Sequence, residues 1–432
     1  MSSSYKASQI DYSLRTEYSP VYKFLRVPLN LPTSSTINIS DSAIRLEFKL
    51  PSTRVYNLNK SMIGYNLNVP AQGVGSVIYS HEDVFTLGSE VFFGTAGGTD
   101  LCNLHYANNY TKISTKQNTK IDDFLSADNS SQLYPCNEIS TSNAIAGPTA
   151  QTGTVSFTEP NYLSQVPDNT ELDKYVQFPL SNLTKTIFAY DKDLHFGNEM
   201  YIRIQTCFVN KMVFQAASPN APQSVPLPAG TPPLPLISKA TINNVYLYLA
   251  VEQNDIINAS IMDKFARNEF KINMPYTVGF LNTSNSAIAN INIQITKQYG
   301  KRLLQIVHSV FNANNTGVNA YDCCNNNAVQ KLLTYRTNLD STYLQDYPLK
   351  CTPSGLVKGI MGNDDWYLSN QKFCKGTAIL NRDVYSKNWF HMDRFYEEND
   401  DISSDNLDVG LLLTPNTMNY IVECNLKTND SM

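Results

Sequence analysis

Charge is scarce in this 432-residue chain: Asp, Glu, Lys and Arg together make up 16 %, against about 25 % in an average soluble protein. Net charge is only -5, and 42 % of residues are hydrophobic, so the composition is not that of a disordered chain. The pI near 5.6 argues against a basic nucleic-acid binder. Ala, Glu, Lys and Leu do not dominate, which excludes a coiled coil. Long apolar runs are missing too. Nothing in Met1–Asn30 reads as a signal peptide, and no run approaches the ~18 residues of a membrane span. The expectation is a protein made and kept in a reducing compartment.

Chemistry-bearing residues are few and dispersed. The five histidines, His81, His105, His195, His308 and His391, contain no pair at zincin spacing, and no P-loop, GxSxG or GxGxxG appears. His81-Glu82-Asp83 has no nucleophile beside it and reads as a surface loop. The acidic stretch Glu397–Asp401, with Asp405 and Asp408, lacks the spacing and the glycine of an EF-hand and reads as a solvated loop. Trp366 and Trp389 stand alone. The eight cysteines are irregularly scattered over a large chain, unlike a disulfide framework. Neighbouring Cys323 and Cys324 have no CxxC or HxxxH partner, so free thiols are expected. No catalytic, cofactor-binding or metal-ligating residue is assigned, and neither enzyme activity nor a cofactor is expected.

Neutral polar residues fill the gap left by charge. There are 47 asparagines and 26 tyrosines, with many Ser and Thr and 21 prolines. Such a mixture favours strands joined by long polar loops. The period-two signal is clearest in Ala43–Leu50, where Ile44, Leu46, Phe48 and Leu50 alternate with Arg45, Glu47 and Lys49. Met62–Val69 repeats it, and strands are predicted near 75–80, 84–93 and 175–181. Met200–Phe214 reads as one long strand. In Val245–Val251 one face is Val245, Leu247, Leu249 and Val251, and the other carries Tyr246 and Tyr248. At Asp255 the period changes: Ile257, Ile261 and Phe265 are four apart behind Asn254 or Asp255 as N-cap, predicting a short helix. Strands are predicted again at Phe270–Met274, Ala289–Thr296, Leu303–Phe311 and Met418–Cys424, with a helix at 326–336.

Residues 1–40 are polar and Tyr-rich and read as an N-terminal arm. Residues 137–165 and the proline-rich 216–238 read as long loops leaving a β scaffold. The expected organisation is therefore the arm (1–40), a first β unit (41–253), and a second unit (254–432) opened by a joining helix.

Several stretches carry a family resemblance. "LEFKLPSTRVYNLNKSMIGYNLNVP" (46–70) resembles the opening of double-jelly-roll major capsid proteins, with its strand, proline, short turn and alternating strand. "VFTLGSEVFFGTAGGTDLCNLHYANNYTKI" (84–113) resembles the strand, glycine turn and strand that follow. "VQFPLSNLTKTIFAYDKDLHFGNEMYIRI" (176–204) and "INNVYLYLAVEQ" (242–253) are similar to the end of the first roll. "YGKRLLQIVHSVFNANNTGVNAYDCCNNN", "YRTNLDSTYLQDYPL" and "YSKNWFHMDRF" resemble the second roll. The likeness lies in order and spacing over most of 42–425, and points to small eukaryotic double-stranded DNA viruses such as polinton-like viruses and virophages.

That resemblance implies an all-β fold of two eight-stranded jelly rolls side by side, with short helices in loops and at the joint. It also implies homotrimers of six-sided outline tiling an icosahedral shell around a DNA genome. The implied partners are further copies of the chain, penton and minor capsid proteins, and an internal membrane if one lines the shell, with no sequence-specific nucleic acid. The implied location is the virion, reached without secretion. Two other readings compete. A sugar- or receptor-binding β-sandwich would use Tyr and Asn as platforms but usually needs secretion. A cupin-like enzyme would need a clustered His and carboxylate site, which the five dispersed histidines do not offer.

Overall fold

The computed structural model describes residues 20–32, 36–38, 44–69, 77–80, 88–98, 100–107, 110, 163–166, 172–206, 213–215, 241–269, 274–280, 288–296, 302–308, 332–350, 391–396, 410–413 and 417–426. In chain order the first unit supplies β1 (Tyr22–Pro28), β2 (Thr36–Asn38), β3 (Arg45–Leu50), β4 (Tyr56–Val69), β5 (Val77–Ser80), β6 (Gly88–Thr95), β7 (Asp100–His105), β8 (Leu163–Val166), β9 (Leu172–Pro179), β10 (Met200–Thr206), β11 (Val213–Gln215) and β12 (Thr241–Glu252). Two sheets dominate, ordered β1-β12-β4-β9 and β3-β10-β6-β7, and a third small sheet is ordered β11-β5-β8. Setting aside β2, which pairs β12, and the three strands of the small sheet, eight strands remain. Lettered B to I in chain order, they read B-I-D-G in one sheet and C-H-E-F in the other. This is the strand order of a jelly roll.

The alternation seen in the sequence explains the packing. Leu46, Phe48 and Leu50 of β3 and Met200, Ile202 and Ile204 of β10 point into the sandwich. From the other sheet Val245, Leu247, Leu249 and Val251 of β12 meet them, with Ile63, Tyr65 and Phe178, in one buried cluster. A slip of one residue in either sheet would exchange this set for Glu47, Arg203 or Tyr248.

The joint follows β12. Glu252 is buried, and its Oε1 accepts hydrogen bonds from the backbone N–H groups of Val21, Gln253 and Asn254 at 2.9, 3.0 and 2.9 Å. The carboxylate thereby satisfies donors freed where the strand turns into a helix. That helix, α1 (Asp255–Ala266), is N-capped by the Asn254 side chain, as predicted, and buries Ile257 and Ile261 against Val55.

The second unit contains β13 (Ile288–Thr296), β14 (Arg302–Leu303), β15 (Gln305–His308), β16 (Leu332–Leu339), β17 (Thr342–Tyr343), β18 (Leu349–Lys350), β19 (His391–Arg394), β20 (Leu411–Leu412) and β21 (Thr417–Leu426). The order β13-β21-β16 and the pairing of β15 with β19 repeat the B-I-D order and the C-H pairing of the first roll. A polar bridge joins these two sheets. The Tyr420 hydroxyl on β21 donates to Asp393 Oδ2 on β19 at 2.7 Å, and Gln345 Nε2 donates to Asp393 Oδ1 at 3.0 Å. Burial, then the Asp393 carboxylate, pushes the Tyr420 hydroxyl well above its ordinary pKa. It stays a donor at all physiological pH.

The all-β architecture is as expected, but five local readings change. Tyr22–Pro28 was read as part of an arm; it is an edge strand paired along its length with β12, and Thr36–Asn38 also pairs β12. Its Leu25 and Val27 are register partners of Leu249 and Leu247, so neighbours supply the core that the segment lacks alone. Met200–Phe214 is not one strand: Met200–Thr206 and Val213–Gln215 belong to different sheets. Residues 332–336 of the predicted 326–336 helix are instead strand β16, where Tyr335, Thr337 and Leu339 are buried at period two; 326–331 lie outside the described residues. Pairing with β21 overrides the helical spacing of Val329, Leu332 and Leu333. Met274, predicted to end a strand, lies outside any strand and packs against the first core instead. Leu163–Val166 takes the end of the 137–165 loop into β8; residues 137–162 and 216–238 lie outside the described residues.

Two cysteines are described, Cys102 and Cys424, and both are reduced and buried. Burial pushes their thiols up, to about 12 and about 11. Neither should react with a thiol reagent in the native state at pH 8, because almost no thiolate is present. Mass spectrometry of natively alkylated protein should find both peptides unmodified, and alkylation only after denaturation.

Candidate assembly surface

Alternate residues of the same strands that build the core form the outer faces, and the two outer faces differ in chemistry. On the C-H-E-F sheet the outward face carries several ion pairs. Glu47 accepts from Arg203 Nε at 3.0 Å, Lys49 pairs with Glu199 at 2.7 Å, and His105 Nδ1 lies 3.0 Å from Glu90 Oε1. The Lys49–Glu199 contact raises the lysine and lowers the glutamate pKa, chiefly through their mutual hydrogen bond. The β3 edge is also covered. Asn30 N and Glu47 N bond across it to Glu47 O and Leu31 O at 2.7 and 2.8 Å, which removes an open template for unwanted strand pairing.

The outer face of the B-I-D-G sheet is aromatic and low in charge. Tyr246 and Tyr248 stand on β12, where the sequence placed them, and Tyr175 lies beside them on β9. The Arg26 guanidinium lies 3.5 Å from the centre of the Tyr246 ring. The Tyr248 and Tyr175 hydroxyls hydrogen-bond, which is the main cause raising the Tyr248 pKa. Gln177 Nε2 donates to the Tyr175 hydroxyl at 3.2 Å. Gly64 of β4 makes this layer possible: a Cβ there would collide with the Tyr175 hydroxyl and the Tyr248 ring. Phe24, 50 % exposed on β1, extends the same face to the sheet edge. The result is a broad, low-charge surface of rigid amphipathic side chains, of the kind enriched at protein interfaces.

Of the described residues weighed for chemistry in the sequence, only His308 and His391 come into register with one another. His105 pairs with Glu90. His195 is buried, with Nδ1 3.2 Å from the Arg54 carbonyl and its ring edge-on to Phe265. His308 and His391 oppose one another in the β15–β19 register, a juxtaposition invisible in the sequence. Among the described residues no group of three His, Cys, Asp or Glu is placed to hold a metal ion. His81–Asp83, Cys323, Cys324, Trp366, Trp389 and the acidic Glu397–Asp408 stretch lie outside the described residues. Among the described residues no helix is long and apolar enough to cross a membrane. Sequence reasoning found Tyr246 and Tyr248 but missed Tyr175 and Gly64, whose contact depends on strands more than 100 residues apart.

No family model matches this chain, and no curated protein sequence does. Among solved structures it is similar to the Faustovirus major capsid protein, at 10 % identity and TM-score 0.45 over 96 % of this chain and 88 % of that one. It is similar to PBCV-1 VP54, as fitted into a reconstruction of the virophage Sputnik, at 9 % identity and TM-score 0.45 over 94 % and 84 %. The mavirus major capsid protein is similar at 9 % identity and TM-score 0.39 over 96 % and 84 %.

Proposed function

We propose that this chain is a major capsid protein, a structural rather than catalytic subunit whose homotrimers tile an icosahedral shell around a DNA genome. The observation that carries the reading is the strand order. A full B-I-D-G and C-H-E-F roll precedes a joint helix, and a second unit repeats the B-I-D order and C-H pairing. Two similar rolls per chain make three chains present six similar blocks, which suits closure into a six-sided tile. The low-charge Tyr face supplies contacts that are individually weak and sum over many copies. Penton and minor proteins, and an internal membrane where one exists, would be further partners of such a tile in the virion.

Light scattering on the purified protein should find a mass of about 145 kDa, three times the 48.4 kDa chain. A stable monomer at micromolar concentration would overturn the trimer. Gly64→Ala probes the face: the residues it displaces are outer ends of tyrosine side chains, so the fold should lose less than about 1 kcal/mol. Assembly into larger particles should fall if Tyr175 and Tyr248 lie in a contact between copies. The Tyr row also suits a sugar-binding sandwich; in that case Gly64→Ala would weaken glycan binding and leave the mass unchanged.

A further inference from the structure

Among the described residues β1 pairs with β12 and with no other strand, so one edge of the first roll stays open. Gln253 N donates to the Val21 carbonyl at 2.7 Å. By the alternation of an antiparallel ladder, odd-numbered residues of β1 then bond toward β12, and the backbone N–H and C=O of Phe24 and Arg26 face away from it. The side chains agree. Leu25 faces into the sandwich as the register partner of the fully buried Leu249, yet 42 % of it is exposed, while Val27 is buried. Beside it lies a groove of about 460 Å³, with Leu25, Val27 and Leu29 on one side and Leu50 and Pro51 across from them. An edge of this kind is a template for a further strand. The β3 edge of the other sheet, by contrast, is covered by Asn30 and Leu31.

The chain ahead of β1 suits this edge. Residues 1–19 precede Pro20, the first described residue. Within them Ile10, Tyr12 and Leu14 alternate with Asp11, Ser13 and Arg15, the period of a strand with one apolar face. Set antiparallel to β1 with Asp11 opposite Arg26, this segment brings Tyr12 opposite Leu25 and Ile10 opposite Val27. The apolar positions then fall on the groove side, and the opposite charges form one cross-strand pair. Thr16–Val21 is left as the connection, a usual length between neighbouring elements. Closing so short a loop costs little chain entropy, which favours the same chain over a second copy as the source.

We infer that Ile10–Arg15 docks on the open edge of β1 in its own chain, as a further antiparallel strand that fills the groove and guards the edge against pairing with foreign strands. The inference does not rest on the capsid reading, and none of its tests changes with the oligomeric state.

The first test is hydrogen exchange of the full native chain, read by mass spectrometry. Peptides covering Ile10–Arg15 should exchange at least about tenfold more slowly than an unfolded chain. Exchange there at the unfolded rate would overturn the inference. Tyr12→Asp sets a charge against Leu25 and should release Ile10–Arg15 to the unfolded rate, together with the outward amides of Phe24 and Arg26, while the amides facing β12 stay slow. Unchanged protection in that variant would also overturn it. The second test needs no loss of structure. Leu14→Cys combined with Lys23→Cys puts two thiols at directly opposed positions, about 4.5–5.5 Å apart at Cα and within reach of a disulfide. Mild oxidation should join them within one chain, found as a single cross-linked peptide with no reducible dimer on a gel. A bond between chains would assign the groove to a second copy, and absence of any bond would reject the register; either result overturns the inference.

Discussion

Phe93→Ala should lower the stability of the first roll by about 3–5 kcal/mol, the cost of removing a large aromatic from a closed core. Phe93 has no exposed surface. Its ring stands edge-on to Phe188 at 5.8 Å and to Phe196 at 5.5 Å, contacts worth more than their area alone. Its register neighbours, Ile202 on β10 and Cys102 on β7, are themselves buried, so the surroundings have little freedom to collapse into the gap. Phe92 points to the other face, half-buried and edge-on to His105. Phe92→Ala should therefore cost only about 1 kcal/mol. Denaturant unfolding followed by near-ultraviolet dichroism would compare the two. Equal losses would mean that β6 is not seated in the register described.

Glu47→Leu should cost about 3 kcal/mol, most of it from stranding a charge on Arg203. Glu47 was read as the wet side of an amphipathic strand, yet its side chain is only 9 % exposed and that of Arg203 15 %. The cause is the segment after β1. Asn30 and Leu31 lie along the β3 edge, and Asn30 Nδ2 donates to Glu47 Oε1 at 2.8 Å. Arg45, 52 % exposed, also reaches Glu47 Oε2 at 3.3 Å but adds little, as exposed pairs do. The double variant Glu47→Leu with Arg203→Met should recover most of the loss, because an apolar pair of similar volume removes both desolvation costs. A double variant no better than the single one would show that Glu47 acts through the Asn30 segment instead. Exposure of the β3 edge would then appear as aggregation.

Some of the candidate assembly surface could be read from the sequence alone. Val245–Val251 announced both its faces, since period two is a property of a single strand. Tyr246 and Tyr248 fell on the outer face of that count. Gly64 fell on the outer face of Met62–Val69 by the same count, but its role stayed hidden, because a glycine in a strand says only that something approaches closely, and the approaching group is Tyr175 of a distant strand. The capped helix after β12 was legible for the same local reason: Asn254 and the spacing of Ile257 and Ile261 are features of one short segment.

Residues 22–28 and 332–336 were misread because their structure is imposed by partners. Tyr22–Pro28 mixes Lys23 and Arg26 with Leu25 and Val27 and has too little apolar surface to declare itself; β12 holds it by seven register pairs. Leu332–Leu339 carries a helical spacing at its start, and β21 overrules it. The sequence by itself determined the class of fold, most of the strand faces and the joint helix, all consequences of patterns within ten or so neighbouring residues. Only the tertiary structure decided which strands are neighbours, and with them the jelly-roll order and the burial of Glu47. Those depend on contacts between segments far apart in the chain, whose partners no local period encodes.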